Sequence, residues 1–199
     1  MADTGRLAGN RMLIIPLLTG ELIFTGIWLL ARIIIWVREK RICWKREAML
    51  LLLYINLAVL IRFVFYPFFR AEGHVRPLQI DLNNILPFRI NLIPFVNIMD
   101  YDVKREAVIN IVGNTVMFIP TGIILPILYK ELNSFGKVIC AGAGISLLIE
   151  MLQLLLPGSV TDIDDLILNT LGVCIGFAIY CITRCFRRKK CMGQGVSHP

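Results

Sequence analysis

The residues able to do chemistry in this chain are carboxylates and amides set inside stretches that are otherwise apolar. Glu150 and Gln153 are three apart, and Asn110 and Asn114 four apart, so each pair shares one face of a helix. Asp162, Asp164 and Asp165 stand at the head of a further apolar run that also contains Asn169, while Glu21 and Arg62 interrupt two earlier runs. Inside a bilayer each such group is costly unless it is paired or faces water. The amides are suited to orienting polar head groups. Glu150, Asp162 and Asp165 are suited to charge recognition or general acid/base work. Arg62 needs a carboxylate partner, and either Glu21 or Glu150 lies at a comparable depth. The competing reading is that these groups only hydrogen-bond helices together.

The aspartate cluster has its own structural alternative. Carboxylates in a first helical turn satisfy free amides and complement the helix dipole, and Thr161 is a candidate cap with Asp164 three residues on. Three acids are more than capping needs. Asp162, Asp164 and Asp165 are therefore also candidates for holding a cationic ligand group, for proton transfer, or for a divalent cation.

The elements that must position these groups follow from the apolar runs. The chain has 199 residues, 57% of them hydrophobic, with a mean hydropathy of +0.72. About 20 apolar residues at about 1.5 Å each cross a hydrocarbon layer of about 30 Å. Runs of this kind lie at about 12–37, 48–69, 106–129, 136–156 and 165–184. The expected fold is all-α, a polytopic transmembrane bundle of about five spans. The run beginning at Met12 is too long for a signal-peptide core, and no small-residue cleavage site follows it.

The net charge of +7 does not point to nucleic acid, because the basic residues cluster beside the spans, in 37–47 and 184–190. By the positive-inside rule both clusters are cytoplasmic. Alternation then puts the N-terminus, residues 70–105 and residues 157–164 outside, and the C-terminus inside. The polar groups named above all fall in the outer halves of their helices. No cysteine falls in an external loop, so no external disulfide framework is implied. No zinc spacing, phosphate-cradling glycine loop or Ser-His-Asp pattern is present.

Residues 84–95 repeat a phrase, Asn84-Ile-Leu-Pro-Phe and Asn91-Leu-Ile-Pro-Phe, seven residues apart. Pro77, Pro87 and Pro94 preclude one continuous helix there, and the apolar residues between them are ill placed in open water. A re-entrant or interfacial pair of short turns at the outer face is expected. Gly172 and Gly176 form a GxxxG pattern for close helix packing. Pro120 and Pro126 mark a kink in the third span, with its freed carbonyls met by neighbouring helices.

INLIPF (90–95), NIVGNTVMFIPTG (110–122), the Glu150/Gln153 pair and DIDDLILNTLG (162–172), in this order, resemble the VanZ-like family of teicoplanin-resistance-type bacterial membrane proteins. The resemblance covers roughly residues 48–184. It leaves 1–47 as an added span with a basic cytoplasmic loop, and 185–199 as a basic cytoplasmic tail. It departs at Pro157-Gly158-Ser159, where members often carry arginine after the glycine.

The family implies residence in the bacterial cytoplasmic membrane and, for its namesake, lowered susceptibility to teicoplanin. Together the residues and the resemblance point to binding or processing of a lipid-tailed molecule at the outer leaflet. The partner would be a membrane lipid, a lipid-linked envelope precursor or a lipoglycopeptide. Asn91, Asn110, Asn114, Gln153, Asn169 and Arg62 would bind it, and Glu150, Asp162 and Asp165 would act on it. A metal-assisted hydrolase or transferase and a non-catalytic scaffold are the alternatives. A transporter is disfavoured by the absence of duplicated halves.

Overall fold

A backbone in hydrocarbon must satisfy its amides internally, and the long apolar runs do so as helices. The computed structural model describes residues 12–40, 42–66, 68–69, 74–75, 77–81, 90–94, 104–156 and 161–194. Five long helices dominate it: α1 (Leu17–Glu39), α2 (Trp44–Phe65), α3 (Lys104–Leu128), α4 (Phe135–Gln153) and α5 (Ile163–Gln194). Each contains a segment long and apolar enough to cross a membrane. Large aliphatic side chains such as Leu18, Leu22, Ile27, Val116 and Leu148 stay exposed on the outer faces of the helices, as lipid contact requires.

Short strands decorate one end. β1 (Met12–Ile15) pairs antiparallel with β4 (Leu78–Asp81), and β2 (Phe68–Phe69) pairs antiparallel with β3 (His74–Val75). β5 (Ile90–Asn91) pairs in parallel with β6 (Thr161–Asp162). This differs from the sequence expectation in two ways. The first span does not begin at residue 12. Its apolar run splits at Pro16, which is extended (φ −60°, ψ 151°), so the residues before it join β4. The connection from 70 to 105, expected as turns, contains strands β3, β4 and β5. The first copy of the repeated phrase, residues 84–88, lies outside the described residues. The second span also ends earlier than expected, at Phe65, because the residue before Pro67 is pushed out of helical geometry.

Among the interhelical contacts, α3 against α5 is the most extensive. Apolar side chains gain little by leaving lipid for protein, so close backbone approach has to supply the attraction. A Cβ at Gly172 would come within 2.1 Å of the Thr115 carbonyl oxygen, and one at Gly176 within 2.1 Å of the Ile119 carbonyl oxygen. From the other side, a Cβ at Gly122 would meet the Val173 carbonyl oxygen at 2.2 Å. The GxxxG pattern is therefore the seam of the bundle. Leu60, Phe118, Val138, Val173 and Phe177 close a dry core beside it.

On α4 the buried residues Val138, Gly142, Ser146 and Glu150 recur at four-residue intervals, forming one stripe. This stripe turns from apolar to polar along its length. Gly142 admits Val173 side-chain methyls that a Cβ there would meet at 2.5 Å, Ser146 meets Asn169, and Glu150 reaches β6.

α2 is braced to α3 where Asn56 donates to the Met117 carbonyl (3.0 Å) and accepts from the Thr121 hydroxyl (2.7 Å). α1 joins α2 through Tyr54, whose ring stacks on Phe24 and whose hydroxyl hydrogen-bonds Thr25 (2.7 Å). At the far end Arg32, buried, and Glu47, half-buried, form a two-point ion pair.

Replacing Gly176 by leucine would force the Ile119 carbonyl away. Overpacking of this kind costs about 1–3 kcal/mol or more. Gly176→Leu is expected to lower the melting temperature sharply in detergent. Gly144→Leu, at a position with nothing within 4 Å of a Cβ, is expected to melt like the parent.

Candidate functional site

Three helices bring polar side chains together at the strand-bearing end, and a fourth walls them with apolar ones. A cavity of about 190 Å³ lies there, lined by Asn110 and Asn114 of α3, Glu150 and Gln153 of α4, and Asp165 and Asn169 of α5. Leu60, Phe63 and Val64 of α2, with Met117, Phe118 and Ile149, form its apolar walls. The same helical spacings that put each polar pair on one face thus aim all three helices at one cavity.

Asn114 is the central hydrogen-bond donor. Its amide nitrogen bonds the Asn110 side-chain oxygen (3.0 Å) and the Asp165 carboxylate, linking α3 to α5. Deeper in, the Asn169 amide nitrogen donates to the Ser146 hydroxyl at 2.9 Å. Asn169 is only 4% exposed, and its side-chain oxygen has no hydrogen-bond partner among the described residues. A buried acceptor without a donor is costly. This one belongs to a residue of the cavity wall.

The rim is built by the β5–β6 bridge, which pairs Asn91 with Asp162. The Asn91 amide donates to an Asp162 oxygen (3.3 Å), and the Ile93 backbone N–H donates to the Asn91 side-chain oxygen (3.2 Å). That same Asp162 oxygen accepts from the Asp164 backbone N–H at 3.1 Å, so Asp162 caps α5. Thr161, the cap expected from sequence, instead donates its hydroxyl to the Glu150 carbonyl (3.0 Å). Glu150, 2% exposed, accepts the Asp162 backbone N–H (3.2 Å) on its carboxylate. The second copy of the repeated phrase is therefore tied directly to the aspartate cluster.

One expectation needs correction. Arg62 does not line this cavity. Its guanidinium bonds the Tyr66 carbonyl at the end of its own helix, and among the described residues it forms no ion pair with Glu21 or Glu150. It faces a separate groove between α1 and α2, shared with Glu21 and Tyr54. One residue on a helix turns about 100°, so the α2 face carrying Leu60 and Val64 to the cavity carries Arg62 elsewhere.

No resident metal or cofactor is expected from the sequence, and the divalent cation left open at Asp162, Asp164 and Asp165 gains no support from the geometry. No three His, Cys, Asp or Glu side chains among the described residues are grouped to hold a metal ion. Asp162 turns to the rim and Asp165 to Asn114, while Asp164 is buried at 1% exposure and does not line the cavity.

Asn56, Thr121, Ser146 and the Arg32–Glu47 pair are structural polar residues that sequence reasoning passed over. Asn56 was open to the same argument as Asn110, being an amide inside an apolar run. A serine or threonine inside a helix carries no comparable signal, since its hydroxyl can bond its own backbone.

Five apolar helices closing over a polar cavity at one end define a multi-pass membrane protein. The chain belongs to the VanZ/LLP1 family, whose profile matches residues 51–184. Over 91 residues it is 32% identical to Protein VanZ of Enterococcus faecium, an alignment covering 46% of this chain and 52% of that protein. The chain thus spans about half the length of the curated relative it matches. No solved structure matches it.

If Asn114 and Asp165 act as one unit, their effects will not add. A double-mutant cycle with Asn114→Ala and Asp165→Ala should give a coupling of about 0.5–3 kcal/mol in detergent unfolding. The cycle between Arg62→Ala and Glu150→Ala should give none.

Proposed function

We infer that the cavity receives the polar head of an amphiphile at the outer leaflet, and that the protein binds or processes a lipid-tailed or lipid-linked envelope molecule there. The observation that carries this is a cavity whose wall combines Glu150, Asp165 and Asn169, the last with a buried side-chain oxygen that has no hydrogen-bond partner among the described residues. A wall rich in acceptors suits a head group rich in hydroxyl or ammonium donors. A membrane lipid, a lipid-linked precursor and a teicoplanin-type lipoglycopeptide all carry such groups on an apolar tail.

A place for the tail is offered by segments that also build the cavity. An apolar groove of about 330 Å³ is lined by Ile61, Phe65 and Tyr66 from α2 and by Leu152, Leu155 and Leu156 after and within the end of α4. The same two segments supply Leu60, Val64, Glu150 and Gln153 to the cavity. A head group at Asn169 and a chain beside Phe65 would be held by neighbouring faces of α2 and α4. Resistance to teicoplanin-type glycopeptides would follow from engagement of either the drug or its envelope target. If a reaction occurs, Glu150 and Asp165 are the groups suited to acid/base work, with Asp162 at the rim.

At equal membrane abundance, Glu150→Gln, Asp165→Asn and Asn169→Leu should each remove most of the protection against teicoplanin conferred by the parent. They should also abolish co-purification of a defined lipid seen by native mass spectrometry. Retention of both by all three variants would leave only a scaffold role, in which the polar groups merely join helices.

The orientation in this reading rests on the basic segments at 37–47 and 184–190, which mark the cytoplasmic side. A membrane-impermeant thiol reagent applied to intact cells should label Ser159→Cys and leave Cys43, exposed at the opposite end, unmodified. Labelling of Cys43 with protection of the cysteine at 159 would invert the site to the inner leaflet.

A further inference from the structure

The end of the bundle opposite the polar cavity carries a second pocket of different chemistry. It has a volume of about 470 Å³ and lies between the end of α3, the short 3-10 turn Lys130–Leu132 and the second half of α5. Lys130, Arg184 and Arg187 line it, and among the described residues no carboxylate does. Among the described residues none of these three cations takes part in an ion pair.

The arrangement is built rather than incidental. Tyr180, Thr183, Arg184 and Arg187 follow the i, i+3, i+4, i+7 spacing of one helix face, over roughly 10 Å of axis. Asn133 fixes that face from the turn. Its side-chain oxygen accepts both the Arg184 guanidinium (2.9 Å) and the Tyr180 hydroxyl (3.3 Å). The Thr183 hydroxyl is turned to the Tyr180 carbonyl (2.8 Å).

From this cationic mouth the pocket runs back to Pro126 and Ile127 in the last turn of α3, where Ile127 is 44% exposed on the apolar surface. The pocket thus straddles the boundary of a spanning segment that ends at Leu128. A tyrosine at that level is the residue type favoured where hydrocarbon meets water.

We propose that this pocket binds an anionic glycerophospholipid, with its phosphate among Lys130, Arg184 and Arg187 and the start of an acyl chain along Pro126 and Ile127. Charge without counter-charge supplies the attraction, and the apolar extension distinguishes a lipid from a soluble phosphate. Basic pockets between membrane helices recognise such head groups in this way. The site is independent of the polar cavity, with which it shares no residue.

The test uses the full chain in detergent, titrated with phosphatidylglycerol, phosphatidylcholine or free glycerol phosphate and read by native mass spectrometry. Phosphatidylglycerol should bind more tightly than either of the others. Lys130→Gln, Arg184→Gln and Arg187→Gln should each weaken it by about fivefold, and the triple variant by about a hundredfold. Lys45→Gln, an exposed basic change outside the pocket, should leave binding intact, and melting temperatures should stay at the parent value throughout. Unchanged binding in the triple variant would overturn the proposal, as would equal affinity for phosphatidylcholine. Binding of glycerol phosphate as tightly as the lipid would overturn the lipid assignment and leave a soluble-anion site.

Discussion

The structure depends on how closely α3 and α5 approach. In lipid there is no gain in hiding one aliphatic side chain against another, so helices associate where their backbones can touch. Gly122, Gly172 and Gly176 provide that contact, each resting on a carbonyl oxygen of the facing helix or its neighbour atoms. Everything at the polar end inherits its geometry from this seam. Asn114 reaches Asp165 because the two backbones are already held together a turn or two below. Val173, on the same helix, seats against Gly142 and carries α4 into position. The stripe on α4 then runs on to Ser146 and Glu150 with no further choice of direction.

Much of this was open to inspection in the amino-acid order. Five apolar runs became five helices, and the glycine spacing at 172 and 176 became the helix seam. Periodicity also put Asn110 with Asn114 and Glu150 with Gln153. What periodicity cannot express is which neighbour a face meets. Arg62 has the depth to reach Glu150, but it is rotated about the helix axis to a different groove. The aspartates face different ways for a related reason. Residues 162, 164 and 165 bridge a strand-to-helix junction, so Asp162 turns to the rim and Asp165 to Asn114. The strands β1 and β4 were illegible because their pairing joins segments more than sixty residues apart, with no local pattern to announce it. Asn56 was legible and overlooked.

The two ends of the bundle differ in sign. Among the described residues, one gathers carboxylates and amides around a cavity without a cation in its wall, and the other gathers lysine and arginine around a pocket without a carboxylate. Between them the buried side chains among the described residues are apolar, apart from the Asn56–Thr121 brace, the Ser146–Asn169 contact and Arg32 with its Glu47 partner. The molecule is thus polarised along the direction in which its helices run. An amphiphile lying against it would meet donor-seeking groups at one level, hydrocarbon in the middle and anion-seeking groups at the other.

The parallel bridge between β5 and β6 has a consequence for how the protein comes into being. Asn91 and Asp162 are 71 residues apart, and the whole of α3 and α4 is threaded between them. As the chain is made, Asn91 enters the membrane region long before its partner exists. Asn110, Asn114 and Glu150 likewise wait for Asp165 and Asn169. The cavity is therefore absent from every nascent chain until α5 has inserted, and the last helix both completes the wall and ties the rim shut. A chain released early would carry unpaired polar groups in lipid, a state that membrane quality control is well placed to detect.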